Sequence, residues 1–163
     1  MTNIRYLIDN NVWAAHEKSY PDVVHFILES IQNDDLLYMN RVIHMELMSF
    51  YEVETIPAVR TGREGFVQLV DEMIELDEKI AVLAAEIRRK AKVAGRSAPK
   101  GPDAIIAATA KIHNLILVSN NDKDFVWASK NFGFQYFNPV TDQADYQNHC
   151  KVFEQQRAQQ GNN

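Results

Sequence analysis

The sequence predicts an α/β layered domain built on a central, mainly parallel sheet. Short apolar runs alternate along the chain with segments of helical period. One of those runs, "LILVS" at 115–119, is continuously apolar up to its closing serine, as suits a strand covered on both faces. At 163 residues and 46% hydrophobic composition, the chain has enough material for one substantial core without a second domain.

Taken in order, residues 4–8 form the first predicted strand, and a helix is expected from about Val12. "PDVVHFILESIQ" (21–32) places Val23, Phe26, Ile27 and Ile31 at helical spacing behind Pro21, which suits a first turn. "LLYM" (36–39) is a short strand, and "RVIHMELMSFYEV" (41–53) repeats apolar side chains around a helix. A further amphipathic helix is expected from Thr61, then a strand at 73–76. Asp77 caps the long helix "EKIAVLAAEIRRKAKVAG", which Gly95 ends. "RSAPKG" (96–101) is a loop by composition, and "PDAIIAATAKIHN" (102–114) is a strongly patterned helix. After "LILVS", "NNDKDF" reads as a polar turn, "VWASKNFG" as a short helix and 134–137 as the last strand. The Gln/Asn-rich tail has little pattern; part of "ADYQNHCKVFEQQ" is compatible with a helix, and disorder is expected over the last several residues.

Bulk properties narrow the function classes. A net charge of −5 argues against a module that holds nucleic acid by charge alone, though not against an enzyme whose acids carry metal ions. No apolar stretch is long enough to cross a bilayer, and "MTNIRYLIDNN" lacks the pattern of a secretory leader. The single cysteine, Cys150, has no internal disulfide partner, so a cytoplasmic location away from membranes is expected. The five histidines are scattered, without an i, i+4 pair, and read as surface or core residues.

Ligands of open α/β sheets sit at the carboxyl ends of strands, near a switch in strand order. Asp9 follows the first strand, and "NNDKD" follows "LILVS", so two acidic turns are expected on one edge. Glu46 is crowded by Val42, Ile43, Met45, Leu47, Met48 and Phe50; a carboxylate there needs a cation, a hydrogen-bonding partner or a route to water. Asp103 opens an otherwise apolar helix, where an acid also complements the helix dipole.

Together, "YLIDNNVW", "VIHMELMS" and "GPDAIIAATAKIHNLILVSNNDKDF" resemble the PIN-domain nuclease family in order and spacing, across roughly residues 4–140. Within that family the chain looks most like the VapC-type toxins of bacterial toxin–antitoxin pairs. The resemblance implies a PIN-like three-layer α/β/α domain at 1–140 with an extension at 141–163. It implies a catalytic set of Asp9, Glu46, Asp103 and Asp124. It departs from the family at Asn10, in place of the usual Thr or Ser, and at Asn121, where many members carry an acid; Asp122 falls on a variable position.

Hydrolysing a phosphodiester calls for an activated water and for stabilisation of charge on the phosphoryl oxygens, both of which Mg²⁺ or Mn²⁺ can supply. Such cations take oxygen ligands, and Mg²⁺ keeps several waters beside one or two carboxylates. Asp9 and Asp103 are therefore assigned as metal ligands, Glu46 as a water-mediated ligand or a group that positions the attacking water, and Asp124 with Asn121 as supports. Asn11, Ser119 and Asn121 are expected to hydrogen-bond and orient the carboxylates. The basic stretch supplies Arg88, Arg89, Lys92, Arg96 and Lys100 as RNA-backbone candidates, and no aromatic interleaves it, so base stacking is not expected. The reading is a metal-dependent endoribonuclease with an RNA substrate; the resemblance implies products bearing a 5′-phosphate and a 3′-hydroxyl. By resemblance its partners are a cognate antitoxin and a second copy of the chain, in a homodimer or a larger hetero-oligomer. Val12, Trp13, Phe50 and Tyr51 are the candidates for surface that an antitoxin would cover. Two other readings fit parts of the sequence: a catalytically silent PIN-like protein-binding module, and a receiver-type phosphotransfer domain with Asp9 as acceptor.

Overall fold

The computed structural model describes residues 2–161. Its centre is a five-stranded sheet with every neighbouring pair parallel. The strands are β1 (Arg5–Ile8), β2 (Leu36–Asn40), β3 (Glu72–Ile74), β4 (Ile116–Val118) and β5 (Tyr136–Phe137), in the order β3-β2-β1-β4-β5. Parallel neighbours need crossovers, and helices supply them. These are α1 (Asn10–Glu17) and α2 (Pro21–Gln32) after β1, then α3 (Arg41–Met48), α4 (Glu52–Thr55) and α5 (Pro57–Leu69) after β2. Helices α6 (Glu78–Val93) and α7 (Gly101–His113) follow β3, α8 (Asp122–Phe132) links β4 to β5, and α9 (Gln143–Gln160) closes the chain. The result is a three-layer α/β/α domain. No helix among the described residues is long and apolar enough to cross a membrane.

The register fixes which side chains meet. Ile8 pairs with Val118, so Asp9 and Ser119 leave the sheet side by side. Strand order reverses between β1 and β4, and that is where these two residues emerge. Leu7, Ile8, Leu117 and Val118 are fully buried, consistent with central strands covered on both faces. Around them α7 packs against α6, α3 and α8, while α1 packs against α2 and α3.

Helix starts follow local chemistry. Asp9 accepts from Asn10 N at 2.7 Å and caps α1. Asn40 accepts from Ile43 N at 2.8 Å and caps α3, while its amide donates to Thr109 Oγ1 at 3.0 Å and ties β2 to α7. Asp77 accepts from Ile80 N at 2.9 Å and caps α6, as expected.

Several boundaries differ from the sequence expectation. The helix expected over 41–53 stops at Met48, where Ser49 takes the cap, and a single turn, α4, follows. The next helix starts at Pro57, not Thr61, because proline fits the first turn, and it ends at Leu69. β3 is shifted to Glu72–Ile74. The polar segment "NNDKDF" is largely the first turn of α8, whose acids Asp122 and Asp124 complement the helix dipole.

The tail is helical to Gln160, contrary to the expectation of disorder there; Asn162 and Asn163 lie outside the described residues. No side chain of α9 is buried. The helix is held at its borders instead. Asp145 accepts from the buried Tyr20 hydroxyl at 3.1 Å, Tyr146 packs edge-on against the Tyr20 ring, His149 Nε2 meets the Lys18 carbonyl at 2.6 Å, and Arg157 pairs with Glu52 at 2.5 Å.

Candidate active site

Asp9 is the centre of the site. It is 4% exposed, and burial drives its carboxyl pKa upward against the opposing hydrogen bonds from Ser119 and from Asn10 N. Ser119 Oγ donates to Asp9 Oδ2 at 2.7 Å. Asn11 Nδ2 lies 3.0 Å from Ser119 Oγ and 3.4 Å from Asp9 Oδ2, and Asn11 Oδ1 accepts from Asn120 N at 2.9 Å. The pairing of β1 with β4 thus becomes a network that aims one carboxylate. Asn11 and Ser119 both reach Asp9 Oδ2 and each other.

The other carboxylates are electrostatically joined to it. Glu46, half-buried on α3, is pushed up to about 7 by burial first, then by Asp9 and Asp103. Asp103, in the first turn of α7, is pushed up to about 6 by burial, then by Asp9 and Asp124, with Lys100 offsetting part of the rise. Asn121 Nδ2 donates to Asp124 Oδ2 at 3.1 Å and orients it. Glu46 therefore feels the charges of Asp9 and Asp103, and Asp103 those of Asp9 and Asp124, so β1, α3, α7 and α8 bring the four acids within electrostatic reach along one chain of pairs.

Among the described residues, no three His, Cys, Asp or Glu side chains stand close enough to hold one ion directly. The donor chemistry still fits a hard cation that keeps part of its water shell: the ligand atoms are oxygens, they repel one another, and the buried Oδ1 of Asn10 beside them has no hydrogen-bond partner. Asp9 and Asp103 are the residues suited to hold it.

Tyr136 on β5 is a support that the sequence did not reveal. Its hydroxyl lies 2.7 Å from Asp122 Oδ1 and 2.8 Å from the Ser119 carbonyl, and it accepts from Asn121 N at 3.2 Å. Burial and the Asp122 bond raise its pKa, so the phenol stays protonated. Asp122 is committed to Tyr136 and to Asn138 Nδ2 at 3.1 Å.

The basic residues divide. Lys100 acts directly on Asp103. Arg96 is exposed, donates to the Lys123 carbonyl at 3.3 Å and lies 5.6 Å over the Trp127 ring. Arg88 Nε is tied to the Pro99 carbonyl at 3.0 Å. Arg89 and Lys92 are exposed on α6. Of the apolar partner candidates, Val12 and Trp13 are fully buried core residues, a correction, whereas Phe50 and Tyr51 are 47% and 76% exposed.

A cleft of about 460 Å³ adjoins the site, lined by Asn10, Glu46 and Arg63 on one side and Phe153 and Arg157 of α9 on the other. Arg63, also missed in the sequence, is 4% exposed; it grips both Glu17 oxygens at 2.9 and 3.2 Å and donates to the Leu47 carbonyl at 2.6 Å. A larger cavity of about 670 Å³ lies by the amino ends of the strands, lined by Tyr6, Phe26 and Phe137, away from these carboxylates.

Carboxylates at the switch point of a parallel sheet place the chain among the α/β domains that bind ligands at the carboxyl ends of their strands. The PIN domain family model matches residues 6–130, and the chain belongs to that family. It is similar in structure to FitAcB from Neisseria gonorrhoeae, at 25% identity and a TM-score of 0.66 over 82% of this chain and 97% of that one. It is also similar to VapBC2 from Rickettsia felis bound to a DNA fragment from its promoter, at 22% identity and a TM-score of 0.66, again over 82% and 97%. A third likeness is to VapBC-5 from Mycobacterium tuberculosis, a member of the VapBC family of toxin–antitoxin systems, at 20% identity and a TM-score of 0.54 over 81% and 94%. No curated protein sequence matches the chain.

Proposed function

We propose that the protein is a Mg²⁺- or Mn²⁺-dependent endoribonuclease and the toxin of a type II toxin–antitoxin pair, acting in the cytoplasm. The observation that carries the nuclease reading is the chain of carboxylate repulsion that links Glu46 to Asp9 and Asp103, and Asp103 to Asp9 and Asp124. Asp9 and Asp103 would hold the cation, and Ser119 and Asn11 keep Asp9 aimed. A bound divalent ion lowers the pKa of its water and polarises the phosphoryl oxygen. Glu46, titrating near neutrality, is suited to take the proton of the attacking water. Water adds to phosphorus, the P–O3′ bond breaks, and the products carry a 5′-phosphate and a 3′-hydroxyl. Asn121 holds Asp124 as a support rather than serving as an acid itself.

Similarity to VapBC assemblies supports an antitoxin partner, and the exposed Phe50 and Tyr51 are surface it would cover. Homodimerisation belongs to the same reading. Residues 1–140 are the nuclease unit and 141–163 an extension whose helix walls the cleft. A chain ending at Thr141 is then expected to retain metal-dependent cleavage; a chain so shortened that folds yet cuts no RNA would merge the extension into the catalytic unit.

The decisive test is single-turnover cleavage of an RNA oligonucleotide. Cleavage is expected with Mg²⁺ or Mn²⁺, none in EDTA, and at least a hundredfold loss in Asp9→Asn and Asp103→Asn. Activity that survives both EDTA and Asp9→Asn overturns the mechanism. The neutral Asn121 and the spread of the acids favour a second reading, a silent binding module. Calorimetric titration separates the two, since the silent module takes up no Mg²⁺ or Mn²⁺ near neutral pH. A receiver-type domain is disfavoured by the strand order, since that fold runs 2-1-3-4-5.

A further inference from the structure

Outside the acidic cleft, a second surface cleft of about 520 Å³ opens along α8, lined by Arg96, Lys123, Trp127 and Lys130, with Asp122 and Asn131 at its edge. Three cations and one indole line the same cleft, on a protein whose net charge is −5. Lys123 and Lys130 are exposed at opposite ends of α8, and Arg96 arrives from the loop before α7. Its guanidinium lies 5.6 Å over the Trp127 ring, and its bond to the Lys123 carbonyl holds that pose. The one carboxylate at the rim, Asp122, accepts from Tyr136 and Asn138, so its charge is engaged away from the three cations.

We propose that this cleft is an RNA subsite, in which an unpaired base stacks on the Trp127–Arg96 pair and Lys123 and Lys130 hold the flanking phosphates. Bases stack on indole and guanidinium planes whatever their identity, and cations beside such a platform follow the backbone. A duplex hides its base faces, so the occupant is single-stranded. The loop from Arg96 to Lys100 leads from this platform to Asp103, whose charge Lys100 already feels. A strand seated on Trp127 is thereby led towards the carboxylates. The identity of the strand as RNA rests on the ribonuclease reading; the stacking platform does not. The expectation that base stacking plays no part is revised, because the aromatic comes from α8 and not from the basic stretch.

The chain has two tryptophans, and Trp13 is fully buried, so a stacked base quenches chiefly Trp127. The probe is a twelve-nucleotide single-stranded RNA, titrated in EDTA so that it stays intact, with tryptophan emission and fluorescence anisotropy of a labelled copy as readouts. Quenching is expected in the wild type and not in Trp127→Phe, which still binds because phenylalanine stacks. Trp127→Ala is expected to lose about tenfold or more in affinity, and Lys123→Gln/Lys130→Gln, which leaves the packed ring in place, about tenfold. The same RNA annealed to its complement is expected to bind more weakly and without quenching. Equal affinity across wild type, Trp127→Ala and the double-lysine variant overturns the subsite, as does unquenched binding by the wild type. Metal-dependent cleavage of the same oligonucleotide is scored separately, so a failed subsite and a failed nuclease give different results.

Discussion

Glu46 carries two burdens that act in the same direction, since burial and the charges of Asp9 and Asp103 all disfavour its ionised form. Its proton affinity is therefore a stability statement. Glu46 rises from 4.5 to about 7 and Asp103 from 3.8 to about 6. Each binds its proton more tightly folded than unfolded. The stability this supplies is complete below about pH 4 and lost as pH climbs towards 7. Asp124 and Lys100 also act on Asp103 and do not reverse that sign. Both groups are half exposed to water, so screening limits the combined effect to about 1–2 kcal/mol. In urea unfolding under EDTA, Glu46→Gln is expected to be more stable than the wild type by about 1 kcal/mol at pH 7.5 and no more stable at pH 4.5. Saturating Mg²⁺ should narrow that gap by relieving the repulsion. An unchanged midpoint at pH 7.5 would remove Glu46 from the repelling set. The acids were singled out by the resemblance of their segments in order and spacing, since taken alone a helix cap explains Asp9 and the helix dipole explains Asp103. Tyr136 was not legible: its part is set by which carbonyl and carboxylate its hydroxyl meets, and no spacing records that.

Among the elements, those with a clean apolar stripe or a capping residue were readable, and those held by side-chain pairing were not. Strand β4 and helices α6 and α7 follow directly from their patterns. Pro57 marks the true start of α5, and the acids of "NDKD" the start of α8. Helix α9 has no buried stripe to read, since its contacts are to Tyr20, Lys18 and Glu52. The Arg63–Glu17 pair belongs to the same illegible class: its partners lie 46 residues apart, with side chains 5% and 14% exposed. It ties α5 to α1 and, through the Leu47 carbonyl, to the end of α3 that carries Glu46. Removing one member of a buried pair leaves the other charge without compensation. Arg63→Ala is therefore expected to destabilise the fold by about 3 kcal/mol in chemical denaturation. Arg63→Lys, which lacks the two-pronged grip, should recover only part of that. A loss below 0.5 kcal/mol would reduce the pair to a surface contact.

At the scale of the whole molecule, charge is sorted into two neighbouring regions of opposite sign. Net charge alone says that a polyanion should be repelled, and the acidic cleft taken by itself agrees. The proposed subsite answers this by gathering Arg96, Lys123 and Lys130 in one cleft, while Lys100 offsets charge at Asp103 itself. Affinity for RNA should then come from local cations and be strongly salt-dependent. Each phosphate neutralised on a single strand contributes about −0.7 to the slope of log K against log salt. Neutralising two lysines should make that slope shallower by about 1.4, with Lys123→Gln/Lys130→Gln compared to wild type between 50 and 200 mM KCl in EDTA. Trp127→Ala should weaken binding with the slope unchanged, since stacking releases no counterions. The two variants therefore separate the electrostatic and aromatic halves of one surface. An identical slope in the lysine variant would mean that the strand is steered by other cations, with Arg89 and Lys92 on α6 as the alternative track.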